Sequence, residues 1–224
     1  MTAPSADEHP LFLKWQEQIE DLLKSEVYLL NCHQELFTQV RDDAVGRYPD
    51  QDFQWIAHYA HIYPHRQAVA LRRVREDQRE VRSLYSLIDS IGRNRKVLSR
   101  RRHGKLATEG NRPARIPFRL EPPGESHIHP EEITQSLAAL EGTSGRIKEF
   151  VDTTIAHRDP GGDPLRARGA QSVTYAEIRR GIETVSDEAA KWSLCLTGTQ
   201  VIPTPHVPAT WKGILRHGLF SSSF

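Results

Sequence analysis

The sequence predicts an all-α protein, a bundle of about five helices with a long basic loop and an irregular C-terminal tail. Three observations carry that expectation. Apolar residues recur at three- and four-residue steps through most of 11–92 and 133–198. No stretch shows the strict two-residue alternation of a half-buried strand. Helix start and stop chemistry falls where the periodic segments begin and end: Pro130-Glu131-Glu132, Thr174 with Glu177, and Gly198.

The first expected helix runs from Leu11 to Arg41, on a stripe of Trp15, Ile19, Leu22/Leu23, Leu29/Leu30, Leu36/Phe37 and Val40. It loosens at Gly46, with Pro49 beyond. A second, aromatic-rich helix spans Asp52 to Tyr63, where Pro64 ends or kinks it. A third runs from Ala68 to Gly92 through Val69, Leu71, Val74, Val81, Leu84, Leu87, Ile88 and Ile91. The fourth covers Ile133 to His157, weakened in its middle by Gly142 and Gly145. The fifth follows a capping box at Thr174 and Glu177, continues through Ile178, Ile182, Val185, Ala189, Trp192 and Leu196, and closes at Gly198. Residues 1–10 read as a flexible N-terminus and 199–224 as a proline-containing tail.

With 224 residues, the chain has room for one helical domain, placed at 11–198, and its extensions. Hydrophobic residues make up 38%, so a modest core under a wide polar surface is expected. The formal net charge of +1 sets up no global field toward nucleic acid or membrane. No apolar run is long enough to span a bilayer, and the first residues lack the pattern of a secretory signal. Cys32 and Cys195 are single and distant, which makes a reducing cytoplasm the expected location.

Charge is nevertheless uneven. Between Arg93 and Arg119 lie Arg93, Arg95, Lys96, Arg100, Arg101, Arg102, Lys105, Arg112, Arg115 and Arg119, against Glu109 alone. Arg100, Arg101 and Arg102 head a proline- and glycine-rich segment, 100–126, that reads as a long loop. Such a loop either attracts phosphate backbones or is a solvated linker balanced by acids elsewhere. Aromatic residues are scarce in it, so base stacking is not expected.

The segment Phe150 to Pro160 places His157 at the end of an amphipathic helix, followed by Arg158, Asp159 and Pro160. The negative end of a helix favours a protonated imidazole, and the following loop, Asp159 to Pro164, opens space for a ligand. Two readings stand: a ring facing a phosphate, with Arg158 beside it, or a helix cap. In His58-Tyr59-Ala60-His61-Ile62-Tyr63-Pro64-His65, His58 and His61 lie one turn apart, but no carboxylate joins them at a ligand spacing. Aromatic-rich packing is the expected role there and no metal is expected; His127-Ile128-His129 is a weaker case still. No glycine-rich phosphate loop, nucleophile elbow or pair of cysteine doublets is present, and no cofactor is expected.

The long first helix, Leu71-Arg72-Arg73 with Ser83 to Ile91, Phe150 to Asp159, and Thr174 to Ile178 resemble, in that order, the HEPN superfamily of helical domains. The nearest likeness is to its prokaryotic abortive-infection branch, and it covers roughly Leu11 to Gly198. The resemblance implies an all-α bundle, often dimeric, found in defence and toxin–antitoxin systems and paired with an antitoxin-type partner. In active members it also implies metal-independent RNA cleavage by an arginine and a histidine, with four to six residues between them. The histidine maps to His157. The arginine position holds Asp152, Val151 or Phe150, and the nearest upstream cations are Lys148 and Arg146.

The expectation is therefore a binder of RNA or a nucleotide with a degenerate nuclease site. One alternative is a helical protein-interaction module. Another is an endoribonuclease whose arginine comes from elsewhere, with Arg72 or Arg73 as candidates.

Overall fold

The structure, a computed structural model, describes residues 9–47, 53–76, 81–98, 127–156 and 173–205. Helix dominates these residues, and no strand occurs among them. The first helical rod consists of α1 (Pro10–Leu22), a π-helical turn (Leu23–Val27) and α2 (Tyr28–Arg47). α3 covers Phe53–Val74, and α4 covers Leu84–Arg93 with a short 3-10 turn after it. α5 spans Pro130–Phe150 and passes into a second π-helical turn, Val151–Ala156; α6 spans Tyr175–Thr197. Among the described residues these make five helical rods, counting the first once, though the second and third are divided differently from the expected Asp52–Tyr63 and Ala68–Gly92.

α6 is the centre of the packing. It contacts α1, α3 and α5, and α4 fits between α1 and α5. Its buried stripe is Ile178, Ile182, Val185, Ala189, Trp192 and Leu196, the set read from the sequence. Gly181 sits in this stripe and allows close approach. A β-carbon there would meet Leu71 Cδ1 at 3.0 Å and Ile147 Cδ1 at 3.3 Å, on α3 and α5. Among the described side chains two indoles are fully buried with their N–H groups satisfied: Trp15 donates to Ser90 Oγ at 3.1 Å and Trp192 to Ser136 Oγ at 3.3 Å.

The helix ends follow local chemistry. Thr174 and Glu177 form the expected capping box, and the backbone N–H of Thr174 holds the Glu177 carboxyl below the usual carboxylate range. Gly198 closes α6 at φ 70°. α1 and α5 share another device. His9 and His129 each precede a proline at the first helical position, and each accepts a backbone N–H through Nδ1, from Leu11 at 3.3 Å and Glu131 at 3.2 Å. His129 is thus a helix cap.

Two boundaries differ from expectation. Pro64 does not end a helix; α3 runs through it to Val74. Proline removes the N–H that would bond to Ala60 O. That carbonyl instead accepts from Tyr175 Oη on α6 at 2.7 Å, and His65 Nδ1 reaches His61 O at 2.7 Å. Tyr175 itself stacks on Phe37, which stacks on Tyr63, so the rescuing hydroxyl is held by an aromatic cluster spanning α2, α3 and α6. Tyr175→Phe should cost about 1 kcal/mol, the net value of one hydrogen bond. In a Pro64→Ala background the cost should shrink, because the alanine N–H takes over Ala60 O. Urea denaturation of the four proteins checks this, and equal costs in both backgrounds would refute the rescue.

The second difference is the expected helix from Ala68 to Gly92. It is two helices, because Ser83 caps α4 through a capping box with Ser86. The side chain of Ser86 also bonds back to Val81 O at 2.7 Å, and Gln18 Nε2 on α1 takes Ser83 O at 3.1 Å. The chain between Val74 and Val81 carries six consecutive polar residues, too many to continue a buried stripe.

Tyr63 reports on the same aromatic cluster. Its hydroxyl donates to Gln34 Oε1, and burial pushes the phenol up to about 12. A raised phenol pKa means the fold prefers the neutral ring. The associated stability is fully present below pH 10 and is lost as pH rises from 10 through about 12. Denaturation of Tyr63→Phe should lack this share of the alkaline decline; identical alkaline profiles would refute the assignment.

Candidate functional site

The end of α3 brings together the cations singled out in the sequence. Arg72 Nε donates to Asp152 Oδ1 at 2.8 Å, and its Nη1 donates to Glu76 Oε2 at 3.2 Å. Arg73 Nη1 lies 3.4 Å from Glu26 Oε1. Glu26 and Asp152 belong to the two π-helical turns. Two successive arginines of one helix thus tie down both turns. The π-turns have a packing reason of their own: each inserts a residue beside an apolar doublet, Leu22-Leu23 and Phe150-Val151, and all four of these side chains are buried.

Energetically the two ties differ. The Arg73–Glu26 pair is largely exposed on the arginine side and contributes little. Arg72 and Asp152 are each about two-thirds covered, and the guanidinium is shared between two carboxylates. The Arg72, Asp152 and Glu76 cluster carries a formal charge of −1 as a unit. These carboxylates engage two of the three guanidinium nitrogens, Nε and Nη1. Asp152, which stands in the arginine position of the nuclease pattern, is thus the direct partner of the arginine considered as its replacement.

His157, Arg158, the loop Asp159–Pro164, and Arg100, Arg101 and Arg102 lie outside the described residues, as do most of the N-terminal extension and the C-terminal tail. In the histidine-rich stretch, the pair in contact is His61 and His65, with ring centroids 4.9 Å apart, and His65 also packs on Phe150. Among the described residues no three histidine, cysteine or acidic side chains converge as metal ligands. Cys195 is buried, which pushes its thiol pKa well up, and Cys32 is half-buried and unpaired. No described helix is long and apolar enough to cross a membrane.

Beside the arginine ties is a cleft lined by Arg72, Arg75, Glu76, Tyr85, Glu141 and Lys148, from α3, the turn after it, α4 and α5. Sequence reasoning passed over Arg75 and treated Lys148 only as a cation misplaced for the nuclease pattern. The signal available was Arg72-Arg73-Val74-Arg75, three arginines closing a helix where one or two suffice for its dipole.

No protein-family model, curated protein or solved structure matches this chain.

Proposed function

We propose that the chain is a HEPN-like helical domain of the prokaryotic defence or toxin–antitoxin kind, which binds RNA or a nucleotide without efficient cleavage. One observation carries this choice among the alternatives: Asp152 occupies the arginine position of the nuclease pattern and itself engages Arg72. The all-helical architecture agrees with the sequence resemblance. The basic segment containing Arg100, Arg101 and Arg102 supplies the electrostatic attraction, with His157 and Arg158 as further ligand contacts.

Filter binding of RNA across a salt series tests the reading. Binding should weaken as salt rises. Changing Arg100, Arg101 and Arg102 together to alanine should lower the salt slope by roughly two units, at ~0.7 per phosphate on single strands. Wild type should not cleave RNA in the presence of a chelator. Absence of RNA and nucleotide binding would overturn the proposal.

A second reading, a helical protein-interaction module, draws support from exposed apolar side chains. Ile62 and Val69, seven residues apart and so on one face of α3, are both exposed, as is Leu29 on α2. A second copy of the chain or an antitoxin-type protein would cover such a face. Light scattering of the purified chain that gives the monomer mass would exclude the homodimer.

A further inference from the structure

We propose that the cleft between the end of α3, α4 and α5 binds a single terminal phosphate group, carried by a nucleotide or by an RNA end. The inference deepens the binding reading above and rests on it only for what carries the phosphate.

Three cations and two carboxylates line the cleft. Both carboxylates already have partners. Glu76 Oε2 accepts from Arg72, and Glu141 Oε1 accepts from Tyr85 Oη at 2.9 Å. Arg72 is committed to Glu76 and Asp152. The remaining cations are Arg75 and Lys148. Arg75 Nη1 is shut off from solvent with no hydrogen-bond partner. Lys148, among the described residues, has neither an ion pair nor a hydrogen bond. A cation just past the last turn of α3 is favoured by the helix dipole, and that is reason enough for an arginine at position 75. Its Nη1 has no acceptor among the described residues, so that N–H is left to donate to a ligand.

The chemistry selects the ligand. With the Arg72, Asp152 and Glu76 cluster at −1 and Glu141 bonded only to a neutral hydroxyl, Arg75 and Lys148 leave the lining near neutral, so a small oxyanion is held by directed donors rather than by net charge. Phosphate oxygens accept from the guanidinium fork and the ammonium together. Glu76 and Glu141 at the same cleft would repel the further negative groups of a polyanionic backbone. A terminal phosphomonoester therefore fits, and an internal phosphodiester does not.

Calorimetric titration with inorganic phosphate, AMP and adenosine tests this directly. Phosphate and AMP should bind and adenosine should not. Lys148→Gln, a change on an exposed residue, should weaken AMP binding about tenfold or more, the scale of one charge-assisted contact. Arg75→Met should weaken it at least as much. Glu141→Gln removes a repelling charge and should tighten binding severalfold, a gain that general damage to the fold would not produce. Lack of AMP binding by the wild type overturns the site, as does unchanged affinity in Lys148→Gln. RNA oligonucleotides bearing a 5′-phosphate or a 5′-hydroxyl separate this from the broader reading. RNA binding without phosphate or AMP binding removes the cleft and leaves RNA recognition standing. AMP binding that Lys148→Gln weakens, with RNA binding indifferent to the 5′ end, supports the cleft with a mononucleotide as its ligand.

Discussion

Trp192→Ala is expected to cost about 3–5 kcal/mol, the usual range for deleting a fully buried large aromatic. That is a large part of the roughly 5–15 kcal/mol that separates folded from unfolded chains. Trp192 has no exposed surface and stands on the helix against which α1, α3 and α5 all pack. Its removal leaves a cavity at the α5–α6 contact and deprives Ser136 Oγ of the indole N–H, although Lys191 Nζ still reaches that hydroxyl at 3.1 Å. Close-packed interiors relax only partly around such a gap, so most of the cavity cost remains. Trp192→Phe keeps most of the buried area and should cost less than half as much. Urea denaturation measures both. A loss near 1 kcal/mol for the alanine variant would mean that α6 is not the centre of the core.

The parts of this fold that were legible in the sequence are those fixed by local rules. The stripe of α6, its capping box and its glycine stop depend on residues within a few positions of one another, and the structure has them as read. The helix through Pro64 was illegible for the opposite reason. Its rescuing donor, Tyr175, is 115 residues away and is brought to Ala60 O only by tertiary packing. The split between α3 and α4 was readable in principle from six polar residues followed by Ser83, but the apolar stripe on either side obscured it. The site divides in the same way. Arg72 and Arg73 stood out as cations, yet their partners Asp152 and Glu26 are remote in the chain, so nothing local revealed that these charges are matched. Arg75 and Lys148 enter the proposed phosphate site because no described side chain meets them, and the absence of a partner has no sequence pattern.

Asp152→Arg should have two separable effects. The first concerns stability. The substitution removes the Arg72–Asp152 bond and places a second guanidinium against the first, with Lys148 nearby on the preceding helix. Loss of a partly exposed pair costs about 1 kcal/mol, and repulsion between side chains that can move apart adds a similar amount, so about 1–2 kcal/mol in all. Arg72 retains Glu76, which limits the damage. The second effect concerns chemistry. The variant restores an arginine with four residues between it and His157, and it also releases Arg72 from its carboxylate. If Asp152 is what silences a nuclease site, RNA cleavage in chelator should appear in the variant and vanish again when His157→Ala is added, since a positioned acid–base group contributes about 10²–10⁴-fold. Thermal melts measure the first effect and a labelled-RNA assay the second. Asp152→Asn serves as the control: it weakens the tie without supplying an arginine, so it should lower stability and leave the chain inactive. A folded, RNA-binding Asp152→Arg variant that cleaves nothing would sink the decayed-nuclease account and leave a domain whose arginines at this position serve to hold two π-turns against α3.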